Sequence, residues 1–359
     1  MSSAELYINL ANICSNWNAL NRLSNGSAGA VVKANAYGLG IKEVGISLAK
    51  AGARDFFVAV AEEGVQLRQA LGQGPKIYVF SGHMTGDTPL IKNFDLIPLI
   101  NSAEQLLFHV ENSSNQMIGI QLDTGMNRLG MECAEYEAVK DIIKPLNPEL
   151  IMSHLACADE TSNPMNERQL NYFNEITNNI NCRKSLAATG GILLGKQYHF
   201  DMTRPGIGLY GGKPYNSSKN VVQLKLPVIQ IRTVLAGETV GYSNTWTAKK
   251  TTKVATLNSG YADGIFRCMS NKAILYYNEI PCSIIGRISM DLIGVDVSNC
   301  NEDPDSLWLL NDKQEIDDLA YDANSIGYEI LTALGTVSYT HLRAHETKAN
   351  LVCRLLLEK

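Results

Sequence analysis

Over its first two hundred or so residues this 359-residue chain repeats one unit, a short apolar run followed by a stretch with helical spacing. The runs fall at 30–33, 56–60, 77–80, 96–100, 118–122, 150–155, 186–188 and 204–210, the last two weak as strands. Short apolar runs without polar alternation suit strands buried on both faces. Between them the pattern turns helical: Ile41, Val44, Leu48 and Ala49 share a face that stops near Gly52, and 62–71 reads as a second helix. Parallel strands need such crossovers, and eight strand–helix units fill the roughly 200–250 residues of a (β/α)8 barrel. The expected fold is therefore α/β: a TIM-type (β/α)8 barrel over residues 1–220, whose N-terminal strand, 6–10, is open to joining the domain downstream. From Val221 the texture changes to strands at 222–231, 273–277 and within 284–297, divided by Gly, Pro and Asn turns. Helical spacing returns only at 317–334. This predicts a mainly β domain over 221–336, then an atypical tail, 337–359.

Bulk properties narrow the function. The net charge of −5 and pI near 5.7 argue against nucleic acid or an anionic membrane as the main partner. No apolar run approaches the roughly 18 residues that span a bilayer. The start, Met1-Ser2-Ser3-Ala4-Glu5, lacks the basic and apolar regions of a secretory signal. Eight cysteines lie scattered without C-x-x-C or metal-ligand spacing, which fits free thiols in a reducing cytoplasm and no bound metal.

Residue types suited to catalysis collect where the predicted strands end. Lys33 closes the first run, with Tyr37 four residues on. Asp123-Thr-Gly-Met-Asn-Arg128 follows the fifth and Ser153-His154 the sixth; Thr189-Gly-Gly and Arg204-Pro-Gly206-Ile207 come later. In a barrel such ends converge on one mouth. A desolvated lysine is a candidate Schiff-base former, and Thr189 with backbone amides near Gly206 and Ile207 would suit a phosphate. Lysine, phosphate cradle and arginine together suggest pyridoxal 5′-phosphate. Read singly, each motif is ordinary: a strand-end lysine, a turn, a surface loop, a core histidine.

Read together, the motifs are specific. Val31-Val-Lys-Ala-Asn-Ala-Tyr-Gly-x-Gly, Asp123-Thr-Gly-Met-x-Arg-Leu-Gly, Ser153-His-x-Ala-x-Ala-Asp, Arg204-Pro-Gly-Ile-x-Leu-Tyr-Gly, Gly260-Tyr-Ala-Asp-Gly and Gly286-Arg-x-Ser-Met-Asp occur in that order over residues 4–335. The chain resembles the alanine racemases. The resemblance implies a pyridoxal-phosphate enzyme of fold type III, a cytoplasmic homodimer that interconverts L- and D-alanine and supplies D-alanine for peptidoglycan. Lys33 would carry the cofactor and act as one base. Tyr261, contributed by the partner subunit, would be the second, so that a proton leaves one face of Cα and returns on the other. Tyrosine's ordinary pKa of about 10 requires tuning or positioning, which His154 and Arg204 match. Arg204 also matches the residue facing the pyridine nitrogen; a guanidinium stays protonated and leaves that nitrogen bare, making the ring a weaker electron sink. Arg128 matches a contact to the substrate carboxylate, and Met290 a residue of the partner's site whose backbone N–H meets that carboxylate. Tyr37, Thr189, Gly206 and Ile207 match phosphate contacts, and Asp291 a residue lining the way in.

Three places depart from the family pattern. Gln121 stands where many members carry a carbamylated lysine beside the substrate-binding arginine, so a bond from its carbonyl or a bound chloride is expected to orient Arg128. Ala187-Ala188-Thr189 replaces the common Ala-Asn-Ser. From about Val337 nothing matches, so Tyr339 takes no role and the tail is expected to be poorly ordered. Related decarboxylases lack Gly-Tyr-Ala-Asp-Gly as a base, and cofactor-binding barrel proteins without turnover lack a β domain. A racemase of broader range differs only in pocket size.

Overall fold

A computed structural model describes residues 3–335 in full and the backbone of 339–343. The chain divides into two units, each described by itself: residues 13–218, and residues 1–12 with 219–359.

The chain begins with β1 (Glu5–Asn9), which runs directly into α1 (Leu10–Leu23). The first unit is a curled parallel sheet of seven strands in sequence order: β2 (Ala30–Val31), β3 (Asp55–Val58), β4 (Lys76–Val79), β5 (Ile97–Ile100), β6 (Gly119–Gln121), β7 (Leu150–Met152) and β8 (Arg183–Ser185). Around them lie α2 (Lys33–Tyr37), α3 (Ile41–Ala51), α4 (Ala61–Leu71), α5 (Thr88–Phe94), α6 (Ala103–Ser113), α7 (Cys133–Ile143), α8 (Pro164–Thr177) and α9 (Thr189–Leu194). The staves are short and buried because both faces are covered: Phe56, Phe57, Val58, Tyr78 and Leu99 are wholly inaccessible.

The eighth stave differs from expectation. The run at 204–210 is no strand: it gives two isolated bridges, Ala28 with Thr203 and Ala188 with Arg204, and then a 3-10 turn, Ile207–Tyr210. Pro205 has no N–H to donate, so a regular ladder cannot form there. The segment still closes the ring, because Gly29 and Val31 donate to Thr203 and Pro205 on one side and Arg204 donates to Ala187 on the other. The neighbouring strand lies at Arg183–Ser185, ahead of the apolar run at 186–188.

The second unit is a largely antiparallel sheet. Its spine is β9 (Val222–Val234), which pairs with β1, with β12 (Thr252–Asn258) and with β16 (Ser306–Leu310). A small β10 (Thr239–Val240) and β11 (Trp246–Thr247) pair with each other; β13 (Ile274–Tyr277) joins β14 (Ile280–Ser283), and β15 (Leu292–Asp296) joins β12. The helical pattern at 317–334 resolves into α10 (Ile316–Ala323) and α11 (Gly327–Leu334), split where Asn324 turns with φ 52°. Finally β17 (Tyr339–Arg343) runs parallel to β1. These five tail residues are thus ordered backbone, contrary to expectation, because β1 offers an open edge on the side away from β9. The expectation for 344–359 lies outside the described residues.

Candidate active site

Lys33 follows β2 and opens a turn of opposite hand to an ordinary helix. Ala34, Asn35, Ala36 and Tyr37 all have φ between 52° and 57°, closed by hydrogen bonds from Ala36 to Val32 and from Gly38 to Ala34, both 2.8 Å. Left-handed backbone costs an L-residue about 1–2 kcal/mol, so four in succession mark a geometry imposed by its surroundings. Glu63 from α4 helps impose it, accepting from the backbone of Asn35 (3.1 Å) and Ala59 (2.8 Å). The lysine is thereby folded over Phe80, its Nζ 5.5 Å from the ring centre. Burial first, then Arg128, lowers the affinity of this amine for its proton; Glu63 works the other way.

Across the same mouth lies Arg204, 1% exposed. Its guanidinium donates to the Ser185 hydroxyl, to Ser153 O (2.7 Å) and to Leu186 O (3.4 Å), and, among the described residues, to no carboxylate. Burial pulls it down to about 9, which leaves it charged at neutral pH. His154, just past β7, feels burial first and then Arg204, Arg128 and Lys33, which together hold it down to about 3. Its imidazole is therefore neutral across the physiological range.

Arg128 rides the tip of a pinched loop. Leu122 and Met131 bridge at its base, Asp123 Oδ1 caps the turn by accepting from Gly125 (2.7 Å) and Met126 (2.9 Å), and Gly130 is required at φ +119°, where a Cβ would come within 2.7 Å of the Leu122 carbonyl carbon. Among the described residues Arg128 makes no ion pair. Gln121 braces this loop through its amide nitrogen, which donates to Leu129 O at 2.9 Å. The expected bond from its carbonyl to Arg128 is not among the hydrogen bonds of the described residues.

The remaining barrel residues form a cradle. The Thr189 hydroxyl accepts from the backbone of Gly206 (3.1 Å) and Gly208 (3.2 Å). Both of its lone pairs are then filled, and its own proton is left to donate. The Tyr37 hydroxyl reaches Gly206 so closely that any Cβ there would collide with it, and the Tyr37 ring packs tilted at 4.6 Å against Tyr210, which donates to Val31 O. Ile207 is buried beside them. Four residues with cationic or basic side chains and a spare hydroxyl, with Glu63 the acid that acts on Lys33, fit an anionic ligand.

In the second unit the structure gathers Tyr261, Met290 and Asp291. Tyr261 N donates to Ser289 O (3.0 Å) and Ala262 N to Met290 O (2.9 Å). Gly260 is needed because a Cβ would strike those same carbonyls, and Asp263 clamps the turn by accepting from Gly260 N (3.0 Å) and the Ser259 hydroxyl (3.2 Å). Tyr261 and Met290 stand 44% and 58% exposed, and Asp291 is exposed beside them. Reading the sequence alone misses Glu63, Ser185 and Gln169, the last fully buried between two loops of the mouth. Its signal is a polar residue on the stripe Asn166, Gln169, Leu170, Phe173 and Thr177, where helical period calls for apolar ones.

Known proteins share this fold. The family models for the alanine racemase N-terminal and C-terminal domains match residues 8–214 and 221–341; the second match runs a few residues beyond 336, past the boundary expected for the β domain. An alanine racemase of Cereibacter sphaeroides is 56% identical over 337 residues, 93% of this chain and 97% of its own length. That of Dinoroseobacter shibae is also 56% identical, with the same coverage. The crystal structure of alanine racemase from Bartonella henselae with covalently bound pyridoxal phosphate superposes with a TM-score of 0.91 at 34% identity, covering 96% of this chain and 100% of that one. The biosynthetic alanine racemase of Pseudomonas aeruginosa gives 0.89 at 30% identity, over 96% and 100%. This chain belongs to the alanine racemase family.

Proposed function

We propose that this chain interconverts L- and D-alanine with pyridoxal 5′-phosphate, using Lys33 and Tyr261 as two bases on opposite faces of the substrate. The observation that carries the reading is the half-buried amine of Lys33, its proton affinity lowered by burial and Arg128, in a mouth where Arg128 and Arg204 have no acidic partner among the described residues. The spare Thr189 proton and the Gly206–Tyr37 contact fit a phosphate group. Lys33, Tyr37, Thr189, Arg204, Gly206 and Ile207 would hold the cofactor. When bound, the cofactor supplies an electron-withdrawing ring that stabilises charge at the carbon giving up its proton.

Lys33 Nζ, once free, takes or returns the Cα proton on one face, and Tyr261 Oη does so on the other. A lowered amine pKa keeps part of Lys33 in the basic form near neutrality. Arg128 and, from a second copy, the backbone of Met290 would hold the carboxylate, and a charged guanidinium is the stronger grip. Neutral His154 can accept a hydrogen bond without adding charge. Arg204, protonated, would keep the ring nitrogen of the bound cofactor unprotonated. Asp291 lines the way in. Tyr261 serves the site of a second copy, so the working unit is a homodimer, cytoplasmic, supplying D-alanine for peptidoglycan. None of the helices among the described residues is long and apolar enough to cross a membrane.

Cα deuterium exchange from both alanine enantiomers in heavy water tests the reading. Exchange with inversion is expected, with Tyr261→Phe abolishing it for one enantiomer and Lys33→Ala removing cofactor absorbance. Exchange without inversion would overturn the two-base assignment, and equal rates on bulky amino acids would replace alanine by a broader substrate range.

A further inference from the structure

Arg128 meets no acid among the described residues, so its aim is set through the backbone of the loop that carries it. That loop rests on helix α8. Gly125, at φ +128°, packs so tightly that a Cβ would come within 2.6 Å of Met165 Cε, with Gln169 Cγ next at 3.9 Å. Gln169 itself is wholly buried. Its Nε2 donates in two directions, to the Thr124 hydroxyl in the Arg128 loop (3.1 Å) and to the backbone carbonyl of His154 (2.9 Å). Its Oε1 accepts from Ala156 N at 2.8 Å. Thr124 Oγ1 lies 2.8 Å from Ser153 Oγ, and Ser153 O receives the Arg204 guanidinium. One amide thus joins the Arg128 loop to the segment bearing His154, with Arg204 tied to the same segment. A buried amide is retained against its desolvation only when its bonds are made, and here three are.

We propose that Gln169 is a positioning residue for substrate binding: from α8 it locks the Arg128 loop to the 153–156 segment and so fixes where the substrate carboxylate is held. The proposal rests on the reading of Arg128 as the carboxylate contact. It predicts a defect in binding rather than in proton transfer, because Lys33 and its left-handed turn lie outside this clamp.

The test uses the cofactor-loaded enzyme. Gln169→Leu should raise KM for both alanine enantiomers and the inhibition constant of propionate, a carboxylate without an amine, by about tenfold, with kcat held within about threefold. Thr124→Val, which removes the loop's bonds to Gln169 and Ser153 and leaves Gln169 tied to the 153–156 segment, should move KM the same way by about three- to fivefold. In an Arg128→Lys background, adding Gln169→Leu should change KM less than about twofold, as expected for residues acting through one another. A fall in kcat at unchanged KM and propionate binding, or a full-sized additive effect beside Arg128→Lys, would overturn the proposal. If Gln169→Leu yields no folded protein, Thr124→Val decides by the same readouts, and an unchanged KM in it counts against the clamp. Loss of the function reading itself would appear separately, as unmutated protein that does not invert alanine.

Discussion

The two ends of the barrel treat charge in opposite ways. At the N-terminal ends of the strands, Arg183 grips Asp55 with both nitrogens (3.0 and 3.3 Å) and reaches Glu149, Lys76 pairs with Glu149, and Tyr78 donates to Asp55 at 3.1 Å. Two acids there meet two bases and a hydroxyl. At the C-terminal ends, Lys33, Arg128, His154 and Arg204 crowd together, and Glu63 is the one acid felt by Lys33. The first end is complete within the chain and serves stability. The second is left with excess positive charge, which stability alone does not favour and an anionic ligand satisfies. In a parallel barrel every strand points the same way, so function and stability separate to opposite rims.

Substitutions at the two rims should therefore part cleanly. Lys33→Ala should lower kcat by at least about 10³-fold while leaving the thermal midpoint of the cofactor-free protein unchanged or higher. A comparable loss of both would break the contrast. Next, Arg128→Gln should raise KM for alanine by roughly 10- to 100-fold with a smaller change in kcat, checked by steady-state kinetics in both directions. A third effect depends on pH. His154 is held near 3 in the fold but takes up its proton at about 6.5 when unfolded. Its contribution is complete above about 6.5 and declines as pH falls toward 3, by about 1.4 kcal/mol per pH unit. Urea unfolding of cofactor-free protein between pH 7 and 5 should show this slope, and His154→Asn should flatten it by one proton. The smallest effect belongs to the closed rim: Asp55→Asn should cost about 1–2 kcal/mol, since Asp55 and Arg183 keep some solvent contact, with kcat unchanged within about twofold. Activity lost there without stability would mean the lower rim reaches the chemistry.

The barrel is legible in the sequence because six of its staves fall on short apolar runs, and the lysine turn because its motif is specific. What escaped has physical causes. The lower rim draws on Asp55, Lys76, Glu149 and Arg183, far apart in sequence and brought together only by strand register. The 204–210 run reads as a strand by hydropathy, yet Pro205 withholds a donor and the chain turns at Ile207–Tyr210 instead. The left-handed path of Ala34, Asn35, Ala36 and Tyr37 is invisible to propensity, which allows for φ above zero at Gly38 and Gly40 but not at alanine. Gln169 sits on a stripe that periodicity assigns to the core, and only the bonds it makes reveal a second purpose.

The placement of β1 carries a consequence for how the polypeptide is born. This strand emerges from the ribosome ahead of the barrel, yet its partners are β9, roughly two hundred residues later, and β17, later still. At about 5–20 residues per second of synthesis, β1 waits roughly 10–40 s for β9. The barrel residues between them can fold as they appear, while a strand whose Leu6 and Ile8 are destined for full burial stays unpaired. The newborn chain thus carries an unpaired apolar strand while the barrel folds, a segment open to misassembly until β9 arrives to claim it.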